Sequence, residues 1–449
     1  MRSLFAPPGT IDANPNVLLK RAAHSYAELF FRAFESTALA PSLAPIAAYL
    51  NGPDAAARKR RLLCHPLFAE GLHALAPYSA ALQSWHDRVT SASQLRPSDP
   101  ATASSLGNVA LAALLRTDRT WCGRCECCTD LLGRLGFPCC NWTMRLCSGA
   151  GAPLANHAVS LTLDHDRACW RLGDGSDHPF LVMPRAECDR MLLDSDPEIS
   201  AKRLRFPDPA VQLKLTCASR LGSSPVRFDP VGFPDGSDHG AVAGGLVCGL
   251  LDAIRENSPS VYQEYRKYIQ TVRGFEFPRQ ASVASFSDPT LPGVMGVSVA
   301  FTDEDEPCLD PFCFTWFGHE MGHTKDYLSD TVLYSRSESL VTNGCDWSCT
   351  IPRYGRPLSV RTIFQIPYVH LYEWELLMDF CETDFHGLPW RVGGGAMAVG
   401  DGFAAEIEES FDLIEEWARL TPLGFAAVAH FHDMLDKSMD RWRSLHIMA

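Results

Sequence analysis

The sequence predicts an α+β fold that is predominantly α-helical, with a small sheet next to the helix that carries His319-Glu320-x-x-His323. Apolar residues recur at helical spacing in residues 16–36, and again in two C-terminal segments at about 403–419 and 422–445. Two strand-like runs, QASVASFS and GVMGVSVAF, flank the turn sequence DPTLPG and precede the motif. Helices at both ends of the chain and a strand pair beside the motif together predict this class.

The remaining elements predict two regions. Shorter helices are expected at 54–64, 66–76 and 103–116, and strands are expected in HAVSLTLDHDRACWRL and HPFLVMP. The stretch 223–240 is rich in Pro, Gly and Asp, which predicts a domain boundary. We therefore expect an N-terminal, mostly helical region with a cysteine-rich segment and short strands (1–225), followed by a metal-binding catalytic domain (226–449).

Three long segments of the second region predict helices around the motif. GAVAGGLVCGLLDAIREN and PSVYQEYRKYIQTVRGF indicate two helices joined at a Ser-Pro pair. The run LSVRTIFQIPYVHLYEWELLMDF predicts a long helix after Gly355-Arg356-Pro357, with a possible kink at Pro367 because proline cannot donate a backbone hydrogen bond.

Composition excludes several classes of protein. The chain has 449 residues and a formal net charge of −13, so a general nucleic-acid binder is not expected. No apolar run reaches the roughly 18 residues of a membrane span, and the N-terminus lacks the apolar core of a secretory signal. An odd number of cysteines, 17, favours free thiols or metal ligands over disulfides. We expect a cytoplasmic protein that binds neither membrane nor nucleic acid.

The HExxH motif indicates a metal site. His319 and His323 lie four residues apart, so both can face one ion from one side of a helix. Glu320 lies beside them and is the candidate catalytic residue, as a general base or by orienting a bound water. The apolar, aromatic sequence PFCFTWFG before the motif is typical of a buried site.

The third metal ligand is open in the sequence. In the extended HExxHxxGxxH pattern a glycine would stand where this chain has Asp326, so that pattern fails. His370, within the aromatic segment IPYVHLYEWELL, is the leading candidate because two histidines already need a third partner. Four carboxylates remain as alternatives: Glu338, Glu373, Glu375 and Asp379.

Residues 280–380 together resemble a known family. SFSDPTLPGVMGVSVAF, then HEMGH, then RYGRPLSVRTIFQIPYVHLYEWELL resemble the HExxH-motif proteins of peptide-modification gene clusters, the 2-oxoglutarate-dependent HExxH-type peptide β-hydroxylases. The resemblance implies Fe(II) bound by His319 and His323, 2-oxoglutarate as cosubstrate and a precursor peptide as substrate. The family pattern places a histidine five residues after the Leu of Arg-Pro-Leu, where this chain has Ile363; His370 lies seven residues further on.

The sequence is compatible with three different functions. The leading one is an Fe(II)- and 2-oxoglutarate-dependent oxygenase that hydroxylates a side chain of a ribosomally synthesised precursor peptide. Arg356 and Arg361 are candidates to bind the cosubstrate, because the arginine fork suits a carboxylate. The alternatives are a zinc metallopeptidase in which Glu320 activates water, and an inactive, metal-stabilised peptide-binding protein.

A second metal site is conceivable in the cysteine-rich stretch WCGRCECCTDLLGRLGFPCCNWTMRLC. A CxxC pair and an adjacent pair could hold structural zinc, with Cys122, Cys125, Cys139 and Cys140 as ligands. An iron–sulfur cluster and free or regulatory thiols are the alternatives.

Overall fold

A computed structural model shows how the predicted elements are arranged. It describes residues 4–9, 17–35, 40–51, 63, 66–90, 123–128, 134–136, 142–148, 152, 154, 157–164, 169–173, 181–184, 211–217, 219–220, 226–233, 238–276, 285–302, 307–308, 310–347, 349–351, 356–388, 390–392 and 395–448. The predicted helix at 103–116 and most of the one at 54–64 lie outside these residues.

Ten α-helices are found in the described residues. They are α1 (Val17–Phe34), α2 (Ala40–Asn51), α3 (Pro66–Ala74), α4 (Ala80–Thr90), α5 (His239–Asn257), α6 (Pro259–Tyr268), α7 (Thr315–Ser335), α8 (Val360–Glu382), α9 (Ala396–Trp417) and α10 (Pro422–Met448), with a short 3₁₀ helix at Ala76–Tyr78. Among the described helices, none is both long and apolar enough to cross a bilayer.

The strands are short and numerous. They are β1 (Gly123–Cys128), β2 (Arg134–Gly136), β3 (Trp142–Ser148), β4 (Ala158–Asp164), β5 (Cys169–Gly173), β6 (Leu181–Pro184), β7 (Val211–Cys217), β8 (Ser219–Arg220), β9 (Arg227–Gly232), β10 (Thr271–Glu276), β11 (Ser285–Ser287), β12 (Val294–Phe301), β13 (Pro307–Cys308), β14 (Cys349–Ile351) and β15 (Arg356–Leu358). The predicted class, α+β and predominantly helical, is confirmed.

The chain divides into two compact units. One contains residues 1–22, 87–95 and 220–449, and the other contains 23–86 and 96–219. The main run of the first unit begins at Arg220, a few residues before the predicted boundary. That unit also takes in two short N-terminal segments that the sequence assigned to the other region.

The unit formed by 23–86 and 96–219 combines helices with antiparallel sheets. One sheet has the order β1-β4-β5-β6, and the other has the order β2-β3-β7. The strands expected around residues 158–184 are therefore present as β4, β5 and β6. Phe30, Phe68 and Trp85 are fully buried in its helical part.

The sheet of the other unit lies beside the motif helix. Parallel strands β9, β10 and β12 are adjacent, and β11 pairs antiparallel with β12 at the edge. The strands expected on either side of DPTLPG are thus β11 and β12. The prediction of helix through TVRGF was wrong: α6 ends at Tyr268, and residues 271–276 form β10, whose Val272 and Phe275 pair with β12 on one side and β9 on the other.

Helices α7 and α8 approach each other so closely that glycine is required between them. A Cβ atom on Gly318 would lie 2.6 Å from the carbonyl oxygen of Tyr372, and one on Gly322 would lie 3.0 Å from the Cα of Val369. Contacts that advance along α7 therefore move backwards along α8, so the helices run antiparallel. This register decides which α8 residues face the motif histidines.

The N-terminal segment, residues 4–9, is built into the core of the same unit. Phe5 is fully buried, and its ring packs edge-on against Tyr368 and Phe431. Three carbonyl oxygens of the segment accept hydrogen bonds: Leu4 from Ser329 (3.1 Å), Phe5 from His430 Nε2 (2.7 Å) and Ala6 from Tyr368 (3.2 Å). The segment thus ties α7, α8 and α10 together.

We expect Gly318→Ala to destabilise the fold by about 1–3 kcal/mol, because the added methyl group must push apart two backbones. Gly245→Ala on α5 is the matched control, since its Cβ meets nothing within 4 Å. It should leave stability unchanged or raise it by up to about 1 kcal/mol, from helix propensity alone. Urea unfolding of both variants measures the difference, and equal stabilities would contradict the close packing.

Candidate metal centre

His319 and His323 of α7 bring their outer nitrogens together. The two Nε2 atoms are 3.0 Å apart, and both rings are half-buried, so the pair opens toward solvent on one side. Two nitrogens that bind one ion at about 2.1 Å lie about 3.0–3.4 Å apart, depending on the ligand angle. The sequence prediction that these residues share one face of a helix is confirmed, and their spacing fits a single ion.

Glu373 of α8 lies behind His319. Its Oε2 atom is 3.2 Å from Nδ1 of His319, which is within ion-pair range, although Nδ1 has no well-formed hydrogen bond in the described part of the chain. Burial disfavours the protonated imidazole, but the contact with Glu373 and the nearby charge of Glu320 together outweigh burial and raise the pKa of His319 to about 9. Burial and the neighbouring His319 lower the pKa of His323 well below its usual value. The two histidines therefore differ in charge although they belong to one motif.

His370, the predicted third ligand, is held by two carboxylates. Its Nδ1 contacts Glu373, and its Nε2 lies 2.9 Å from Glu406 on α9. His319, His370 and Glu373 together offer ligand atoms within 4.8 Å of one another. Both ring nitrogens of His370 already have acid partners, so it would have to give up one of them to bind an ion beside His323. Its role as a ligand stays a prediction.

A chain of alternating acids and imidazoles runs from α9 to α7. Its members are, in order, Glu406, His370, Glu373 and His319. The two imidazoles draw the pKa of Glu373 far below its usual range, although burial alone would raise it. Sequence reasoning did not single out Glu406, which is one of several glutamates in a predicted amphipathic helix. No spacing rule links residue 406 to residue 370, so only the packing of α8 against α9 could find this contact.

The other carboxylate candidates lie elsewhere. Glu338 is exposed and follows the end of α7, about 20 Å along the helix from the histidines. Glu375 accepts from Arg441 at 2.7 Å and from Ser438 at 2.6 Å. Asp379 accepts from the same Arg441 at 2.6 Å. Of the four alternatives, only Glu373 is brought to the motif, and it meets the inner nitrogen of His319.

Glu320 is buried, and its carboxylate is bound to the edge strand β11. One oxygen accepts from Ser285 Oγ at 2.7 Å, and the other accepts from Ser287. Burial raises the pKa of Glu320, although His319 and the two hydroxyls oppose the shift. These contacts fix β11 against the motif helix and occupy the carboxylate that a peptidase would use.

Arg361, a predicted cosubstrate residue, is an ion-pair partner between α8 and α7. Its Nη2 lies 2.6 Å from Asp326 and its Nε lies 2.7 Å from Asp330. Its third nitrogen, Nη1, is buried and has no hydrogen-bond partner in the described part of the chain. Arg356 lies in β15, and its side chain is outside the described residues. Binding of an oxoacid by either arginine stays a prediction.

The predicted zinc site in the cysteine-rich segment falls largely outside the described residues. Cys122, Cys139 and Cys140 are not among them. The backbone of Cys125 lies in β1, opposite Leu161 of β4. The structural zinc stays a prediction.

Metal binding should release protons in a way that depends on pH. At about pH 7.5 the metal-free His319 is protonated because its pKa lies near 9, so binding of Zn(II) should release about one proton. The release should fall toward zero above about pH 10, where the imidazole is already neutral. Calorimetry in buffers of different ionisation enthalpy measures this number, and a value independent of pH would contradict the raised pKa.

No family model matches the chain, and no curated protein matches it either.

Proposed function

We propose that this protein is a non-haem Fe(II)- and 2-oxoglutarate-dependent oxygenase that hydroxylates a side chain of a ribosomally synthesised precursor peptide. The observation that carries the proposal is the pair of Nε2 atoms, 3.0 Å apart, on His319 and His323. The resemblance of residues 280–380 to HExxH-type peptide β-hydroxylases supports iron as the ion and the oxoacid as cosubstrate.

The pair fits a metal on chemical grounds. Because the Glu373 carboxylate lies beside Nδ1, a neutral His319 keeps its proton on Nδ1 and has a lone pair at Nε2. Two such lone pairs at this distance repel each other unless a cation lies between them. That cation is a proton when the site holds no metal, and a metal ion when it does. The same residues can therefore hold Fe(II), with His319 and His323 as two of its ligands.

The state of Glu320 favours an oxygenase over a peptidase. A peptidase needs this carboxylate free to take a proton from water. Here both oxygens accept hydrogen bonds from Ser285 and Ser287. The carboxylate ligand of a thermolysin-like site is also missing at Glu338, which is exposed beyond the end of α7.

Each part of the centre has a distinct role in the proposal. Fe(II), when bound, supplies the activation of dioxygen while 2-oxoglutarate is oxidised to succinate and carbon dioxide. His319 and His323 bind the ion, and Glu373 keeps the proton of His319 on Nδ1. The unpaired Nη1 of Arg361 is the donor left for a cosubstrate carboxylate. His370 is the proposed third ligand. To bind the ion, its ring must first release one of its two carboxylate partners.

Strand β11 offers a place for a peptide. It is the edge strand of its sheet, and among the described residues its outer edge pairs with no other strand. An extended peptide can add to such an edge through backbone hydrogen bonds. Because Glu320 holds β11 against α7, a peptide on that edge would lie near the histidine pair. Phe286 on β11 is 39% exposed and supplies an apolar contact.

Anaerobic loading with Fe(II), followed by 2-oxoglutarate, oxygen and a candidate peptide, should yield succinate and a peptide heavier by one oxygen atom. His319→Ala and His323→Ala should each abolish both products, because each removes one of the two motif imidazoles that bind the ion. Mass spectrometry of both products measures the outcome. Peptide hydrolysis with zinc and without the oxoacid would contradict the proposal in favour of a metallopeptidase. Metal binding without either reaction would favour a peptide-binding protein.

Glu320→Gln should separate the two enzymes. In an oxygenase the side-chain amide of this variant can still hydrogen-bond to Ser285 and Ser287, so the turnover number should fall less than about 10-fold. In a peptidase the general base is lost, which costs about 10²–10⁴-fold. Glu338→Gln, at an exposed position after α7, is the matched control and should behave as wild type.

A further inference from the structure

Several buried polar atoms at the metal centre have no hydrogen-bond partner in the described part of the chain, and two of them belong to different helices. One is Nδ1 of His323, and the other is Oε1 of Gln365 on α8. Gln365 is only 5% exposed, so water does not readily satisfy its carbonyl. An N–H donor and a carbonyl acceptor are complementary, and a single hydrogen bond between them would satisfy both atoms.

The helix register brings these two residues together. Gly318 meets Tyr372 and Gly322 meets Val369, so a step from His319 to His323 on α7 moves toward lower numbers on α8. Gly322, the residue before His323, meets Val369, and Gln365 lies one turn beyond Val369 on the same face of α8, within reach of the His323 ring. A side-chain contact between Gln365 and His323 is present in the structure and favours the protonated imidazole.

We propose that Gln365 is a positioning residue of the metal centre: its side-chain carbonyl accepts the Nδ1–H of His323 and so turns Nε2 toward the ion. The inference rests on the proposed metal at His319 and His323. A histidine that binds a metal through Nε2 almost always donates its other N–H to a fixed acceptor, which sets the tautomer and the ring orientation. Each motif histidine then has its own acceptor on α8.

The two acceptors make the two metal ligands unequal. Glu373 is a carboxylate, and its negative charge 3.2 Å from Nδ1 makes His319 the more basic ligand. Gln365 is a neutral amide, so it orients His323 without adding charge. The centre thereby has one electron-rich and one ordinary imidazole, although both come from one motif. Neither motif spacing nor periodicity marks Gln365 in the sequence, since a glutamine in an apolar helix carries no signature.

The test compares wild type with Gln365→Leu and Gln365→Glu by competition titration with Zn(II). Leucine removes the acceptor, and we expect Zn(II) affinity to fall about 10-fold or more. Glutamate keeps an acceptor and should restore wild-type affinity or exceed it. Gln263→Leu, at a half-buried position on α6, is the matched control and should bind as wild type.

A second readout follows the proton itself. In the Zn(II)-loaded protein labelled with ¹⁵N-histidine, the Nδ1–H resonance of His323 should move upfield in Gln365→Leu and downfield in Gln365→Glu. Substitution His323→Asn assigns that resonance. If Gln365→Leu does not fold, Gln365→Glu still tests the contact. A side chain at position 365 that does not contact His323 would leave the Nδ1–H resonance of His323 unshifted.

The outcomes separate this inference from the proposed function. Unchanged affinity and an unchanged His323 resonance in Gln365→Leu would overturn the inference and leave the metal proposal standing. Lost affinity with an unchanged resonance would also overturn it, in favour of direct ligation by the amide or a purely structural role. A wild type that binds neither Zn(II) nor Fe(II) would overturn both proposals.

Discussion

The close contact between α7 and α8 is the constraint on which the rest of the centre depends. Two glycines, Gly318 and Gly322, each precede a motif histidine and let the α8 backbone come into direct contact. Residues of α8 are thereby near enough to reach the inner nitrogens of both histidines. A larger residue at either glycine would move the acceptors away, and the histidines would lose the partners that set their orientation. The motif by itself supplies two ligands, whereas the helix contact supplies their geometry.

Buried charge is balanced in two places along the same helix pair. Near the start of α7, carboxylates and imidazoles alternate from Glu406 to His319. Further along, Arg361 pairs with both Asp326 and Asp330, and Arg88 adds a second positive charge 3.8 Å from Asp330. Removing one member of such a buried ion pair typically costs about 3–5 kcal/mol, because the remaining charge is left without a partner. Loss of activity in an Arg361 variant would therefore indicate a role in cosubstrate binding only if the measured stability of the variant were unchanged.

The sequence predicted the parts of this fold that local patterns encode. The HExxH motif predicted α7, helical patterns predicted α8 and the two final helices, and strand-like runs around the turn sequence DPTLPG predicted β11 and β12. The HExxH spacing placed His319 and His323 on one helix face. The motif spacing could not identify the residues of α8 and α9 that surround the two histidines. Helix register, and not sequence distance, brings Glu406, Glu373 and Gln365 to the site. The sequence pattern also assigned TVRGF to a helix, since the alternation of buried and half-buried residues in β10 is too short to stand out from the helical pattern before it.

The insertion of residues 4–9 into the core sets an order of events during synthesis. Phe5 contacts His430, which is 425 residues later in the chain. At about 5–20 residues per second, roughly 20–85 s pass between the synthesis of these two residues. During that time the apolar Phe5 side chain has no partner from α10 to cover it. Contacts of such long range also slow folding, because the intervening chain must be ordered before they form. The unit that carries the candidate metal centre is thus completed only after α10 has been synthesised.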